Sequence, residues 1–209
     1  MSQAWGTLPL VTPSPASPFL YFVDDRLSPA ELSAARLDGH LVELGDAYIP
    51  ADAVETSGLR AGSLRGILGD TLAATHLTAA WVHGALSEPP ARHTVQRAVA
   101  KRLHHVMGRR ILYRDGAIEQ DDLQVLGGVL VTSPVRTLAD LARVPDDSHA
   151  EAARLLADAH PGLASDAIAW LNAHGSLPHK RSALAFLRGL AERDRATAPR
   201  AGRQDDVTR

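Results

Sequence analysis

The spacing of apolar positions divides the chain into a proline-broken start, a short helix–hairpin unit, a strand-rich middle and a helical end. Pro9, Pro13, Pro15 and Pro18 preclude a regular helix over residues 1–18, and residues 1–27 read as an extended, Pro-rich leader. Inside it, Phe19–Val23 is an aromatic-rich apolar run that suits an edge strand or a segment pinned on the core. Ser28 then opens a helix, with a hydroxyl N-cap, Pro29 at the first position and Glu31 three residues after the cap. That helix should reach Leu37 or Asp38 and stop at Gly39. Leu41–Leu44 and Ala47–Ile49 flank the turn residues Gly45 and Asp46 as two strands, ended by Pro50. A helix followed by a hairpin is the second half of a winged helix-turn-helix.

Helical spacing recurs over residues 59–68 and 75–86, the second with Leu77, Ala80, Trp81 and Gly84 on one face. After Pro89–Pro90 the pattern becomes strand-like at 93–99, 109–113, 123–126 and 129–132. Asp115–Gly116 reads as a turn, and Gly127–Gly128 joins the last two strands as a hairpin. Ser133–Pro134 starts a helix that runs to about Ala142, and helices over 148–159, 165–173 and 179–193 follow, separated by Pro161–Gly162 and by Gly175 and Pro178. Residues 196–209 hold few apolar side chains and read as a disordered tail. The expected class is therefore α/β of the α+β kind. A partial winged helix-turn-helix (28–58) precedes a mixed α/β domain with C-terminal helices (59–195).

Composition narrows the chemistry. The 209 residues are 45% hydrophobic but only 4% aromatic, so aliphatic side chains and Ala must fill the core. The absence of Cys excludes disulfides, iron–sulfur clusters, thiolate catalysis and Cys-ligated zinc. No apolar run reaches the length of a membrane span. No basic segment followed by an apolar one marks a signal peptide, so a cytoplasmic location is expected. A net charge of −2 argues against non-specific coating of nucleic acid. The distribution differs from the total: Arg92 to Arg114 holds seven Arg or Lys and no acid, whereas Asp24 to Asp70 holds nine acids against four basic residues.

That basic strip, Arg92, Arg97, Lys101, Arg102, Arg109, Arg110 and Arg114 with His93, His104 and His105 among them, is the candidate surface for nucleic acid or a partner. It lacks interleaved aromatics for base stacking, and the competing reading is a solvated face paired with the acidic front. The second feature is the strand-to-helix junction Gly128–Ala142. Thr132 or Ser133 caps the helix, Pro134 sets its first turn, and Arg136 and Asp140 stand at i, i+4, where a surface pair is expected. Its alternative is that Arg136 and Asp140 line a binding site. His104 and His105 are adjacent and diverge, and His76 and His83 share a helix face without a third ligand, so no metal site or cofactor is expected. No phosphate-binding glycine loop or nucleophile elbow is present. Asp121–Asp122 precedes a strand with Gln124 and no Lys, so the carboxylate–lysine set of a restriction-type nuclease is missing, and no catalytic residue is assigned.

The helix–hairpin remnant, the Thr-Ala-Ala-Trp helix at 78–81, the basic strands and the Thr-Ser-Pro-x-Arg-Thr-x-x-Asp-Leu-Ala segment at 132–142 follow in one order. In this order the chain resembles the AbiEi-type antitoxins of type IV toxin–antitoxin systems, especially their actinobacterial relatives, over residues 28–143. The resemblance implies a non-enzymatic protein. Its winged helix would bind operator DNA, and its C-terminal α/β domain would counter a nucleotidyltransferase toxin. In this chain the recognition-helix equivalent carries Glu31 against one basic residue, Arg36, and the wing adds His40, Glu43 and Asp46. Phosphates repel such a reading head, which moves the expected nucleic-acid contact to the strip. The alternative is a family-derived interaction protein without DNA binding or antitoxin activity.

Overall fold

The computed structural model describes residues 19–23, 25, 27–103 and 108–197. Most of the expected leader (1–18), His104, His105 and the tail from residue 198 lie outside the described residues.

Helix α1 (Pro29–Leu37) is closed by the expected reciprocal cap. The Ser28 hydroxyl accepts the Glu31 amide at 3.3 Å, and the Glu31 carboxylate accepts the Ser28 amide at 2.8 Å. Leu32 is its one buried side chain. Strands β1 (Leu41–Leu44) and β2 (Ala47–Pro50) form an antiparallel hairpin. Tyr21 bridges to Tyr48, each amide donating to the other's carbonyl at 2.9 Å, so the 19–23 segment is pinned on the hairpin edge.

The helix expected over 59–68 is two pieces, α2 (Ser57–Ser63), capped by Thr56, and α3 (Arg65–Leu68). A strand not anticipated from the pattern, β3 (Leu72–Ala74), comes next, and α4 (His76–Val82) is shorter than the expected 75–86. The remaining strands are β4 (His93–Arg97), β5 (Ile111–Ala117), β6 (Leu123–Leu126) and β7 (Val129–Thr132). The helices α5 (Pro134–Ala142), α6 (Asp147–Ala159), α7 (Leu163–Ala173) and α8 (Lys180–Thr197) complete the described chain. The larger sheet runs β5-β4-β3-β7-β6, with β3 parallel to β7 and β4 parallel to β5. The fold is thus mixed α/β, in the α+β class. Asp115–Gly116 is not a turn. The pair sits inside β5 where the register slips, Gln96 facing Arg114 and Arg97 facing Ala117, so the extra residues are absorbed as an irregularity of the bulge kind.

One sheet face, through Leu72, Ala74, Val95 and Val131, packs with Trp81, Leu64 and the hairpin residue Ile49. The other face holds a smaller cluster of Ala73, Ala98, Ile118 and Leu130. A separate helical core joins α4 to α5–α8 through Leu138, Leu156, Leu171 and Leu187 interleaved with Ala80, Ala139, Ala153 and Ala183, whose small side chains let helices approach closely. Helix α4 therefore links both cores, Trp81 facing one and Ala80 the other.

Two hairpin turns clamp α2. A Cβ on Gly45 would lie 2.4 Å from the Ser63 hydroxyl, and one on Gly127 would lie 2.1 Å from the Gly58 carbonyl. Both glycines also have positive φ, +58° and +54°, which other residues rarely adopt. Among the described residues no helix is long and apolar enough to cross a membrane.

Candidate functional site

The junction of β7 and α5 follows from its residues. Val129–Thr132 is β-branched or aliphatic and buried throughout. The Ser133 hydroxyl then accepts the Arg136 amide at 3.3 Å, and Pro134 takes the first turn. The Thr132 and Thr137 hydroxyls lie 2.7 Å apart and close the strand onto the helix. His83 at the end of α4 donates Nε2–H to the Thr132 carbonyl at 2.8 Å, so this ring is a structural donor.

Arg136 and Asp140 do pair, but not on the helix surface. Asp140 is fully buried and Arg136 nearly so. Arg136 Nε donates to Asp140 Oδ2 at 2.9 Å, and its Nη1 donates to Asp122 Oδ2 at 2.7 Å. The other Asp122 oxygen accepts Trp170 Nε1–H from α7 at 2.7 Å, and the Arg136 guanidinium lies 4.8 Å over the Trp170 ring. Arg143 Nη2 donates to Asp140 Oδ1 at 2.6 Å. Two guanidinium groups thus meet two carboxylates in a network joining the segment before β6 to α5 and α7. Burial works against the Arg136 charge, but Asp140 and then Asp122 outweigh it, and its pKa is raised. Asp122, half of the carboxylate pair considered for nuclease chemistry, is engaged wholly with Arg136 and Trp170.

The strip is dispersed around β4, β5 and the loop between them. Arg110 forks onto Asp46 of the hairpin turn, its Nη2 reaching Oδ2 at 3.0 Å. Arg102 pairs with Asp115, and Arg97 lies 3.9 Å from the same carboxylate. Arg92 is exposed and donates to the Ile111 carbonyl at 2.8 Å. Lys101 and Arg109 are exposed and have no ion-pair partner among the described residues. Arg114 is half-buried, and its Nε has no hydrogen-bond partner. His93 is buried beside Trp81, and burial lowers its pKa.

A second polar cluster lies where α4 meets α6. His76, at the start of α4, is buried with φ of +50°, and burial lowers its pKa to about 4 despite the opposing charge of Asp140. Its ring meets that of His149 edge-on at 6.0 Å. Helix α6 is capped by Asp146, whose carboxylate accepts both the His149 amide at 2.9 Å and its Nδ1–H at 2.8 Å. The helix expected from residue 148 starts at Asp147 because Asp146, one position earlier, is its cap, and neither this cap nor His149 was singled out from the sequence. Among the described residues no group of three or more His, Asp or Glu is placed to hold a metal ion.

Comparison with known proteins bears on this region. Residues 72–169 match the family model of the AbiEi antitoxin C-terminal domain. The match takes in the whole strip, the 132–142 segment, and Asp122, Arg136, Asp140 and Arg143, and it stops one residue before Trp170. Among solved structures, the RV2827C protein from Mycobacterium tuberculosis is similar at 18% identity, over 80% of this chain and 70% of that one, with a TM-score of 0.32. No curated protein matches the chain. The matched segment holds the larger β-sheet, the 132–142 junction and the Arg136, Asp122, Asp140 and Arg143 side chains of the buried network, and residues 72–169 are similar to the AbiEi antitoxin C-terminal domain.

Proposed function

We propose that the protein is a non-enzymatic antitoxin and regulator that counters a nucleotidyltransferase toxin, and that its contact with operator DNA runs through the Arg92–Arg114 strip. The family match over residues 72–169 carries this reading. The electrostatics of the helix–hairpin unit support the placement of the DNA contact. Its one basic helix residue, Arg36, is paired with Glu43 at 3.0 Å, and the hairpin turn contributes Asp46. Among the described residues that helix and hairpin offer phosphates no unpaired Arg or Lys, whereas Arg92, Lys101, Arg102 and Arg109 stand exposed on the strip.

Two experiments test the two halves. Co-expression with a verified active nucleotidyltransferase toxin from the same operon is expected to relieve growth arrest, and failure to do so would remove the antitoxin role. Operator binding titrated against salt is expected to weaken sharply on charge reversal at Arg102, Arg109 and Arg110 and to persist in Arg36→Ala. The reverse pattern would return DNA reading to α1. A second reading, a family-derived interaction protein without either activity, draws on the internal pairing of Arg97, Arg102 and Arg110. Failure of both experiments would select it.

A further inference from the structure

Four basic residues of the strip come as two neighbouring pairs, Lys101–Arg102 and Arg109–Arg110, both in the connection between β4 and β5. The pairs are built alike. In each, the first residue is exposed and has no ion-pair partner among the described residues. The second is held by a carboxylate from elsewhere in the chain: Arg102 meets Asp115 inside β5, and Arg110 forks onto Asp46 in the turn of the β1–β2 hairpin.

Those carboxylates stand where phosphate oxygens would. A guanidinium donates the same parallel N–H bonds to a carboxylate as to a phosphate. Arg102 and Arg110 are both largely exposed, so a competing anion can reach them, and burial does not lock either pair. The two acids differ in their hold. Asp115 also lies 3.9 Å from Arg97 and keeps that cation when Arg102 leaves. Asp46 has no second ion-pair partner among the described residues, so Arg110 is the more firmly held.

We propose that Asp46 and Asp115 are internal competitors of phosphate, an autoinhibitory contact on the strip. Lys101 and Arg109 stay open to a nucleic-acid backbone, while Arg102 and Arg110 are covered by Asp115 and Asp46. This rests on the strip being the nucleic-acid contact, as proposed above, and concerns its regulation. When a phosphate displaces one of these carboxylates, the counterion that leaves the DNA is replaced by one gathered at the freed acid. Net counterion release is then close to nil, and the covered arginine adds little affinity. The hairpin, which by its place in the chain resembles a wing, thus blocks nucleic acid instead of reading it.

The test measures binding of a short fluorescent DNA duplex to the full chain as a function of salt. The double variant Asp46→Asn/Asp115→Asn is expected to bind about tenfold or more tightly than the wild type. Its log–log salt slope should be steeper by about 1.8, two more phosphates at about 0.9 each. Asp46→Asn alone should give the larger share of the gain and Asp115→Asn the smaller. Adding Arg102→Ala and Arg110→Ala to the double variant should return affinity and slope to wild-type values. Asp121→Asn removes the same charge from an exposed site before β6, at the other edge of the sheet, and should leave binding unaltered. A double variant that binds the duplex only as well as the wild type would overturn the proposal and leave the strip reading intact. An equal gain from Asp121→Asn, or one that survives the loss of Arg102 and Arg110, would reduce the effect to net charge and overturn it as well. No binding by wild type and double variant alike would remove the strip reading itself, and the proposal with it.

Discussion

Arg136 and Arg110 lie in the same family segment and perform the same chemistry, a guanidinium holding carboxylate oxygens, but they do so in different solvents. The Arg136 side chain is 11% exposed and bridges two acids, whereas that of Arg110 is 63% exposed and forks onto one. Water decides what each pair is for. In the buried network every charge has been stripped of hydration, so each partner is needed by the others, and removal of one leaves the rest uncompensated. On the surface the pair competes with water and salt, contributes little to stability, and stays exchangeable for another anion. The first pair holds α5 and α7 to the sheet, and the second leaves a cation available.

The comparison breaks most directly at Asp140. Asp140→Ala leaves Arg136 and Arg143 without their shared carboxylate and is expected to destabilise the fold by about 3–5 kcal/mol, read from the urea midpoint. A loss below about 1 kcal/mol would place the network in the same class as surface pairs.

The next effect sharpens the contrast through pH. His76 has a folded pKa of about 4, against 6.5 for the free side chain, because burial disfavours its charged form. Between those values the unfolded chain binds the proton and the folded one does not, so stability falls as pH drops from 6.5 and the loss is complete below 4. The shift corresponds to a loss of about 3 kcal/mol from this one residue. His83 and His93, also lowered by burial, add slope in the same direction. The discriminating measurement is therefore the difference between wild type and His76→Asn. Asn tolerates the positive φ at this position, and the variant should be flatter between pH 4 and 6.5. An unchanged slope would show that the His76 proton plays no part in stability.

Much of this architecture was legible in the sequence, and the exceptions have physical causes. The α1 cap and the β7–α5 junction were readable because capping residues act locally, within three positions of the hydroxyl. Strand β3 was not, since Leu72, Ala73 and Ala74 are all buried and show no alternation. Asp115–Gly116 carried a true turn signal, which the register slip beside Gln96 and Arg97 absorbed within β5. The 136/140 spacing gave the pair but not its burial. That depends on Asp122 from the segment before β6 and on Trp170 from α7, and neither is near Arg136 in sequence. The acidic front answers the strip at one point, Asp46 on Arg110, whereas Arg97 and Arg102 meet Asp115, an acid from β5 that lies just past the strip in sequence. The His76–His149 contact went unread because its two rings come from α4 and α6, far apart in sequence.

The smallest effect on stability is expected at Arg110, and it is the one that links fold to function. Arg110→Ala should lower stability by about 1 kcal/mol or less, and added salt should erase the difference. If Asp46 occupies the place of a phosphate, then Asp46→Asn frees the fork for nucleic acid at little cost to the fold. The nucleic-acid affinity of that variant should rise, and the slope of its logarithm against the logarithm of salt should steepen by about 0.9, the value for one more neutralised phosphate. Adding Arg110→Ala to Asp46→Asn should cancel the gain, since without the guanidinium there is nothing for the missing acid to release. A gain that persists in the double variant would mean that Asp46 acts only through general repulsion, and the exposed pair would then not be an exchangeable counterpart of the buried one.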